Sequence, residues 1–160
     1  MWCGKRVSVI LPTYNEKDSI RRCIEAFEAT GVVDEIIVVN NNATPGTSAE
    51  VAKTGAREVH EPIQGYGAAI RRGFREAAGD LIVVSEPDGT FCARDVRKRL
   101  AYAEDFEVVY GSRTVKELTG GEKLTGAYFG YVLELAWNMA FFADQGTLAD
   151  AERRDPVVVV

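Results

Sequence analysis

The chain has 160 residues, of which 46% are hydrophobic and 27% are charged. This composition predicts one globular domain with a sizeable core and excludes a disordered chain. The formal net charge of −5 argues against a nucleic-acid-binding protein, which would present a basic face.

The cysteines and the apolar runs indicate the cellular context. Cys3, Cys23 and Cys92 form no CxxC pair, and the single His60 cannot complete a zinc set with them. We therefore expect reduced thiols and a cytoplasmic protein. Because no stretch reaches about 18 uninterrupted apolar residues, the sequence predicts no membrane-spanning helix.

Five segments have the composition of strands. Four are nearly continuous in β-branched and aliphatic residues: Val7–Leu11, Glu35–Val39, Leu81–Ser85 and Val108–Ser112. A shorter strand is expected around Val59. Continuous apolar runs are typical of strands that are covered on both faces, as in a parallel sheet.

Helical patterns fall between these strands. Residues 20, 23, 24 and 27 are apolar at helical spacing after a candidate cap at Asn15, and Thr47–Glu50 has the spacing of a capping box. A third helix has a face at residues 70, 73, 74 and 77 and is expected to stop at Gly79, and a fourth covers about 94–103. The alternation predicts an α/β fold, a three-layer sandwich with a mostly parallel sheet and right-handed crossovers.

The region after Gly111 has a different character. Ala127–Ala143 is apolar apart from a narrow stripe at Glu134 and Asn138. Two interpretations are open: a helix that packs on the sheet or on a second subunit, and a surface that lies against a membrane. We expect one domain in two parts, an α/β part at 1–113 and a helical segment at 114–160.

Polar, turn-forming residues follow four of the predicted strands. They are Pro12–Glu16, Asn40–Thr47, Ser85–Asp88 and Gly111–Arg113. Ligands of open α/β sheets bind beyond the carboxyl ends of the strands. The four clusters therefore predict a binding site at that edge of the sheet.

Glu86 and Asp88 place two carboxylates one residue apart at the end of an apolar strand. Both can point to one hard cation, and Mg²⁺ or Mn²⁺ prefers such oxygen ligands together with waters and substrate phosphates. A cation would also relieve their mutual repulsion. The alternative is a solvated turn, because Pro87-Asp88-Gly89 is by itself a turn signature.

Gln64–Gly67 precedes the third predicted helix. Its glycines would let a phosphate approach the helix N-terminus, although the same pattern is expected in a plain turn. It is not a P-loop, because the GK[ST] ending is absent.

Four stretches in this order carry a family resemblance: VSVILPTYNE, EIIVVNNNATPGT, GYGAAIRRGFREAAGDLIVVSEPDGTF and VVYGSR. They resemble the family 2 glycosyltransferases with the A-type nucleotide-sugar fold, over about Arg6 to Arg113. Within that family the pattern is similar to polyprenyl-phosphate sugar transferases of the dolichyl-phosphate mannose synthase type. The resemblance implies a nucleotide-diphospho-sugar transferase-like fold.

The resemblance also implies roles for residues at the strand ends. Pro12, Tyr14 and Glu16 would line the nucleotide pocket. Asn40 or Asn41 would meet the base.

A second group of implied roles concerns the metal and the phosphates. Glu86 and Asp88 stand where the family's DxD motif binds Mg²⁺ or Mn²⁺ and the sugar diphosphate, so Asp88 also belongs to the nucleotide site. Thr90 occupies a third position that can assist the metal. Arg113 falls where relatives contact the acceptor phosphate, a task that suits a planar guanidinium.

Several residues depart from the family pattern. Asn40 and Asn41 replace the usual paired aspartates, Glu86 replaces an aspartate, and Gln64 stands where many relatives carry a base. After residue 113 only Asp150 is a candidate general base, and its alternative is an ordinary surface charge. From the RRDPVVVV ending we expect either a chain shortened at its C-terminus or a natural fragment.

Three functions are consistent with these observations. The leading hypothesis is a metal-dependent inverting glycosyltransferase that moves a sugar from a nucleotide-diphosphate sugar to an acceptor such as a polyprenyl phosphate. The second is a nucleotide-sugar-binding module, or an inactive remnant of such an enzyme. The third is an unrelated α/β domain of the nucleotidyltransferase kind. Under the leading hypothesis, residues 114–160 would form the acceptor, membrane or oligomer side.

Overall fold

The computed structural model describes residues 1–106, 108–111 and 157–159. The chain divides into two compact units, one formed by Met1–Tyr110 with Arg154–Val160 and the other by Gly111–Arg153. Apart from Gly111, the second unit lies outside the described residues. The expected division after residue 113 stays a prediction.

The first unit is built on a parallel sheet. Its strands in chain order are β1 (Val7–Thr13), β2 (Glu35–Asn40), β3 (Arg57–His60), β4 (Leu81–Val84), β5 (Val108–Tyr110) and β6 (Val157–Val159). Within the described residues the spatial order is β3-β2-β1-β4-β6-β5, and all neighbours are parallel. The predicted parallel sheet and its short strand around Val59 are confirmed. The sequence pattern does not predict β6.

Helices cover both faces of this sheet. They are α1 (Ile20–Glu28), α2 (Thr47–Val51), α3 (Tyr66–Glu76) and α4 (Val96–Leu100), the last preceded by a 3₁₀ turn at Ala93–Asp95. Alternate residues of β1 point to opposite faces. Val9 packs in one core cluster with side chains of α1, α2 and α4, whereas Ile10 packs in another with α3. The predicted three-layer sandwich is therefore confirmed.

The predicted caps of the first two helices are wrong, although the second helix begins at Thr47 as expected. Ser19, not Asn15, precedes α1, and the Glu16 carbonyl accepts hydrogen bonds from the Ser19 and Ile20 amides at the start of the helix. In α2 the cap position is Gly46 in a left-handed conformation, with φ of 93°. Thr47 is thus already helical and donates to the Thr44 carbonyl, so the capping box does not form.

The end predicted for α3 is also wrong. The helix ends at Glu76, and Ala77 is extended. Gly79 lies against β1 instead, where its amide donates to Ser8 Oγ over 2.9 Å.

The close packing of α3 on β1 depends on Gly73. An added Cβ at this position would lie 3.0 Å from Ile10 Cδ1 and 3.1 Å from Ile10 Cγ1, and closer still to Cγ2. Ile10 is fully buried. A glycine at residue 73 therefore sets the distance between the helix and the sheet.

The strand order reverses between β1 and β4, since β2 and β3 extend to one side and β6 and β5 to the other. Ligands of open parallel sheets bind at such a reversal, outside the carboxyl ends of the strands. Thr13, Asn40 and His60 end their strands in neighbouring registers. No helix among the described residues is long and apolar enough to span a membrane.

Candidate functional site

A cavity of about 220 Å³ opens at the carboxyl ends of β1 and β4. Its lining comprises Pro12, Thr13, Tyr14, Glu16, Asn41, Gln64, Tyr66, Ala69, Glu86 and Asp88. The residues come from three separate strand ends and from the start of α3. The structure thus brings together six of the residues that the sequence assigned to one site, at the reversal point of the sheet.

The segment after β1 forms one wall of this cavity. Tyr14 leaves the strand with its side chain about half exposed, and its backbone amide donates to Glu16 Oε2 over 2.6 Å. The Glu16 carbonyl in turn accepts the amides that begin α1. Glu16 is therefore fixed at both its side chain and its backbone beside an exposed aromatic ring.

The acidic pair lies on the wall after β4. The Ser85 amide donates to the Ile10 carbonyl over 3.1 Å, which carries the strand pairing one residue past β4. Glu86 is partly buried and Asp88 is exposed, and both line the cavity. The Pro87-Asp88-Gly89 turn is present as well, since Gly89 has φ of 85°.

Thr90 holds the side chain of Asp88. Its amide and its hydroxyl both donate to Asp88 Oδ1, over 2.8 and 2.7 Å. The tight turn between Asp88 and Thr90 requires the left-handed backbone of Gly89, which glycine can adopt because it has no Cβ to clash. With one oxygen held by Thr90, the Asp88 carboxylate has a defined orientation.

The acidic pair fits a hard divalent cation by its chemistry. Two carboxylates facing one cavity supply oxygen ligands, and Mg²⁺ in nucleotide sites is commonly held by one or two carboxylates together with substrate phosphates. Within the described residues no group of three or more His, Cys, Asp or Glu side chains could hold a metal. The pair therefore fits a metal that a diphosphate helps to bind.

The negative charge of Asp88 also reaches Cys23 on α1. Burial raises the pKa of the Cys23 thiol to about 12, and the charge of Asp88 adds to the rise. A thiol with so high a pKa carries almost no thiolate at neutral pH, so the partly buried Cys23 is a poor nucleophile.

Asn40 has partners away from the cavity. Its amide nitrogen donates to Ser48 Oγ over 3.2 Å and to Glu58 Oε1 over 2.7 Å, and its oxygen accepts the Ala43 amide. Asn40 does not line the cavity in the described part of the chain. Its expected contact with a base stays a prediction, without support from this geometry.

Asn41 does line the cavity, and only 3% of it is exposed. Its side chain is hydrogen-bonded to the segment that leads from β3 into α3. That segment adds Gln64 and Tyr66 to the lining. The sequence named neither as a binding residue, although the Gln64–Gly67 pattern indicated that this loop could approach a phosphate.

Three expectations fall outside the described residues. They concern Arg113 as the acceptor-phosphate contact, Asp150 as a base, and Ala127–Ala143 as a membrane or oligomer surface. The structure adds nothing to them.

The chain belongs to glycosyl transferase family 2, whose profile matches residues 8–148. This confirms the family resemblance found in the sequence. The parallel α/β fold and the cavity at the strand reversal are consistent with membership of this family.

Two curated relatives illustrate the likeness. An uncharacterized glycosyltransferase of Mycobacterium bovis is 36% identical over 98 residues, which are 61% of this chain and 44% of that protein. An undecaprenyl-phosphate 4-deoxy-4-formamido-L-arabinose transferase of Salmonella paratyphi B is 29% identical over 167 aligned positions, covering 96% of this chain and 50% of that protein. The chain spans about half the length of these two relatives.

Solved structures show the same fold. Glucosyl-3-phosphoglycerate synthase of Mycobacterium tuberculosis matches with a TM-score of 0.61 and 27% identity, over 73% of this chain and 48% of that one. The same enzyme in complex with Mn²⁺, uridine diphosphate and phosphoglyceric acid matches with a TM-score of 0.60 and 26% identity, over 73% of this chain and 47% of that one.

Proposed function

We propose that the protein is a metal-dependent, inverting glycosyltransferase that uses a nucleotide-diphosphate sugar. The observation that carries this proposal is the single cavity in which the ends of β1 and β4 present Tyr14, Glu16, Glu86 and Asp88 together. Its place at the reversal point of a parallel sheet supports a nucleotide ligand.

The nucleotide would lie against the wall after β1. Pro12 and Tyr14 offer an apolar surface there, and Tyr66 faces the same cavity from the start of α3. Aromatic rings that are half exposed can cover a base while their hydroxyl groups stay in water. Glu16, which lines the same cavity, would offer a carboxylate to the donor's hydroxyl groups.

The sugar diphosphate would lie against the acidic pair. Glu86 and Asp88 would hold Mg²⁺ or Mn²⁺, with Thr90 keeping the Asp88 carboxylate in place. The bound ion would supply Lewis-acid stabilisation of the charge that develops on the departing diphosphate. The solved structure of glucosyl-3-phosphoglycerate synthase in complex with Mn²⁺ and uridine diphosphate, which has the same fold, supports this assignment.

The acceptor in this proposal is a polyprenyl phosphate. One of its phosphate oxygens would attack the anomeric carbon as the bond to the nucleoside diphosphate breaks, which inverts the configuration. An acceptor that already carries negative charge needs little help from a general base. The name of the Salmonella relative supports this class of acceptor. The proposal also includes Arg113 as the residue that contacts the acceptor phosphate, and contact of Ala127–Ala143 with a membrane.

The proposal is tested by incubating the protein with UDP-, GDP- and dTDP-sugars, Mn²⁺, and either undecaprenyl phosphate in detergent or 3-phosphoglycerate. We expect release of a nucleoside diphosphate that depends on both the metal and the lipid phosphate. Release with phosphoglycerate alone would contradict the acceptor class. Nucleotide binding without turnover under any condition would indicate a binding module instead of an enzyme.

A further inference from the structure

We propose that Asn41 is a positioning residue, whose side-chain amide pins the 61–65 loop and thereby fixes the wall of the cavity that carries Gln64 and leads to Tyr66. The pinning stands on the geometry alone. Its effect on nucleotide affinity rests on the proposed function.

The Asn41 amide makes every hydrogen bond of which it is capable. Its nitrogen donates to the carbonyls of Glu61 and Ile63, over 2.8 and 2.7 Å. Its oxygen accepts from the Gly65 amide over 2.8 Å and from Gln64 Nε2 over 3.2 Å. A primary amide has two donor hydrogens and two acceptor lone pairs, and all four are used within the chain.

The backbone partners determine which way the amide faces. Two of them are carbonyl oxygens, which can only accept, and one is an N–H group, which can only donate. The reversed amide would place its oxygen against the two carbonyls and its nitrogen against the Gly65 amide. The nitrogen must therefore face Glu61 and Ile63.

A carboxylate fits this place poorly. Asp at position 41 would keep the acceptor for the Gly65 amide, but it would lose both donors and bring negative charge close to the carbonyl oxygens of Glu61 and Ile63, whose hydrogen bonds with Asn41 are buried and partly buried, respectively. An unsatisfied polar group at a buried position is costly. The amide of Asn41 is thus matched to the loop that it contacts in this chain.

The same loop is held from a second side. Asn42 Nδ2 donates to Gln64 Oε1 over 2.9 Å, while Gln64 Nε2 donates to Asn41. The Gln64 side chain is therefore fixed between two asparagines. The orientation that it presents to the cavity follows from the position of Asn41.

The experiment compares Asn41→Asp with wild type and with a control, Ser8→Ala. Ser8 is buried near the start of β1, at the other end of the strand, and its hydroxyl bonds Glu35 and the Gly79 amide. The control therefore loses buried hydrogen bonds without touching the cavity. Amide exchange of the 61–65 loop is measured without ligand, and UDP affinity with Mn²⁺ is measured by calorimetry.

For Asn41→Asp we expect exchange of the loop to be faster and UDP affinity to be weaker, each by about tenfold, the size of change that ~1.4 kcal/mol produces. Loss of two hydrogen bonds is of that order. Ser8→Ala should show neither change. If Asn41→Asp does not fold, Asn41→Ala replaces it, because it removes the same donors without adding charge.

Two kinds of result would overturn the proposal, namely unchanged exchange of the loop and unchanged affinity for UDP. Loop exchange equal to that of wild type would show that Asn41 does not pin the loop, and weaker affinity with unchanged exchange would show direct contact with the ligand. Faster exchange with unchanged affinity would remove the positioning role. If the wild-type protein binds no nucleotide at all, the proposed function fails, and the exchange data alone decide the pinning.

Discussion

Replacing Gly73 by alanine tests how α3 is set against the sheet. Alanine is ordinarily the better helix former, by about 1 kcal/mol over glycine. If nothing else mattered, Gly73→Ala would stabilise the protein. The contact with Ile10 opposes that gain.

The structure indicates which effect is larger. The new Cβ would come within 3.1 Å of three Ile10 side-chain atoms. Ile10 is fully buried and β-branched, so it has few rotamers and no space to move into. Overpacking of this kind costs about 1–3 kcal/mol. After the helix gain of about 1 kcal/mol is subtracted, we expect a net destabilisation of about 0–2 kcal/mol, or a fall in Tm of up to roughly 8 °C.

The assay is urea unfolding followed by circular dichroism, with Gly55→Ala as the matched control. An added Cβ at Gly55 would meet only the tip of the exposed Glu28 carboxylate, which can swing away. The control should therefore lie within about 0.5 kcal/mol of wild type. A Gly73→Ala protein more stable than wild type would refute the close packing of α3 on β1.

Three further predictions concern single side chains. Burial alone would raise the pKa of Glu35, but hydrogen bonds from the Ala78 amide, Ser8 and Arg57 hold this pKa below its usual value. The lowered pKa means that the ionised Glu35 stabilises the folded protein at pH values above the pKa of the unfolded carboxylate, about 4.3. This stabilisation is lost as the pH falls through the lower pKa of the folded protein. Glu35→Gln should therefore flatten the acid limb of a urea-unfolding series, and an unchanged limb would speak against these hydrogen bonds. In the native protein the pKa of Cys23 is raised to about 12, so Cys23 should react with iodoacetamide at pH 8 about a hundredfold more slowly than the exposed Cys92. Mass spectrometry would measure the two labelling rates, and equal rates would refute the burial of the Cys23 thiol. Thr90→Val should weaken Mn²⁺-supported UDP binding several-fold, because the hydrogen bond from the hydroxyl group to Asp88 is worth about 1 kcal/mol. Thr90→Ser keeps the hydroxyl group and should retain the affinity for UDP. An equal loss of affinity in both variants would exclude a role for the hydroxyl group.

The strands were predictable because burial on both faces leaves a local mark. Segments such as Val7–Thr13 and Leu81–Val84 are buried throughout and mostly aliphatic, which suits a central parallel strand. The strand at Val157–Val159 carries the same local mark, a run of valines, but the run is short and its partners β4 and β5 are distant in the sequence. Which strands flank it depends on the tertiary fold.

The helix caps were less predictable because the cap position depends on contacts outside the helix. Asn15 accepts a hydrogen bond from Thr44 instead of capping α1. Gly46, with its positive φ, takes the cap position that the sequence pattern assigned to Thr47. Both outcomes depend on the packing of the loop after β2 against the loop after β1.

The place of the candidate site was predictable, but its details were not. Parallel strands bring their carboxyl ends to one edge, so Tyr14 and Asp88 were expected to meet. The saturation of the Asn41 amide was not foreseeable, because its partners lie 20 to 24 residues away in sequence. The presence of Tyr66 in the cavity lining was not foreseeable either, because it depends on the course of the 61–65 loop.

The most direct test of the metal and nucleotide site is a calorimetric titration of UDP into wild type and Asp88→Ala, with Mn²⁺ and with EDTA. We expect Mn²⁺ to tighten binding to wild type by at least about tenfold, a change of ~1.4 kcal/mol, and to have no effect on the variant. Equal UDP affinity of the wild-type protein with and without Mn²⁺ would contradict a metal held by Glu86 and Asp88.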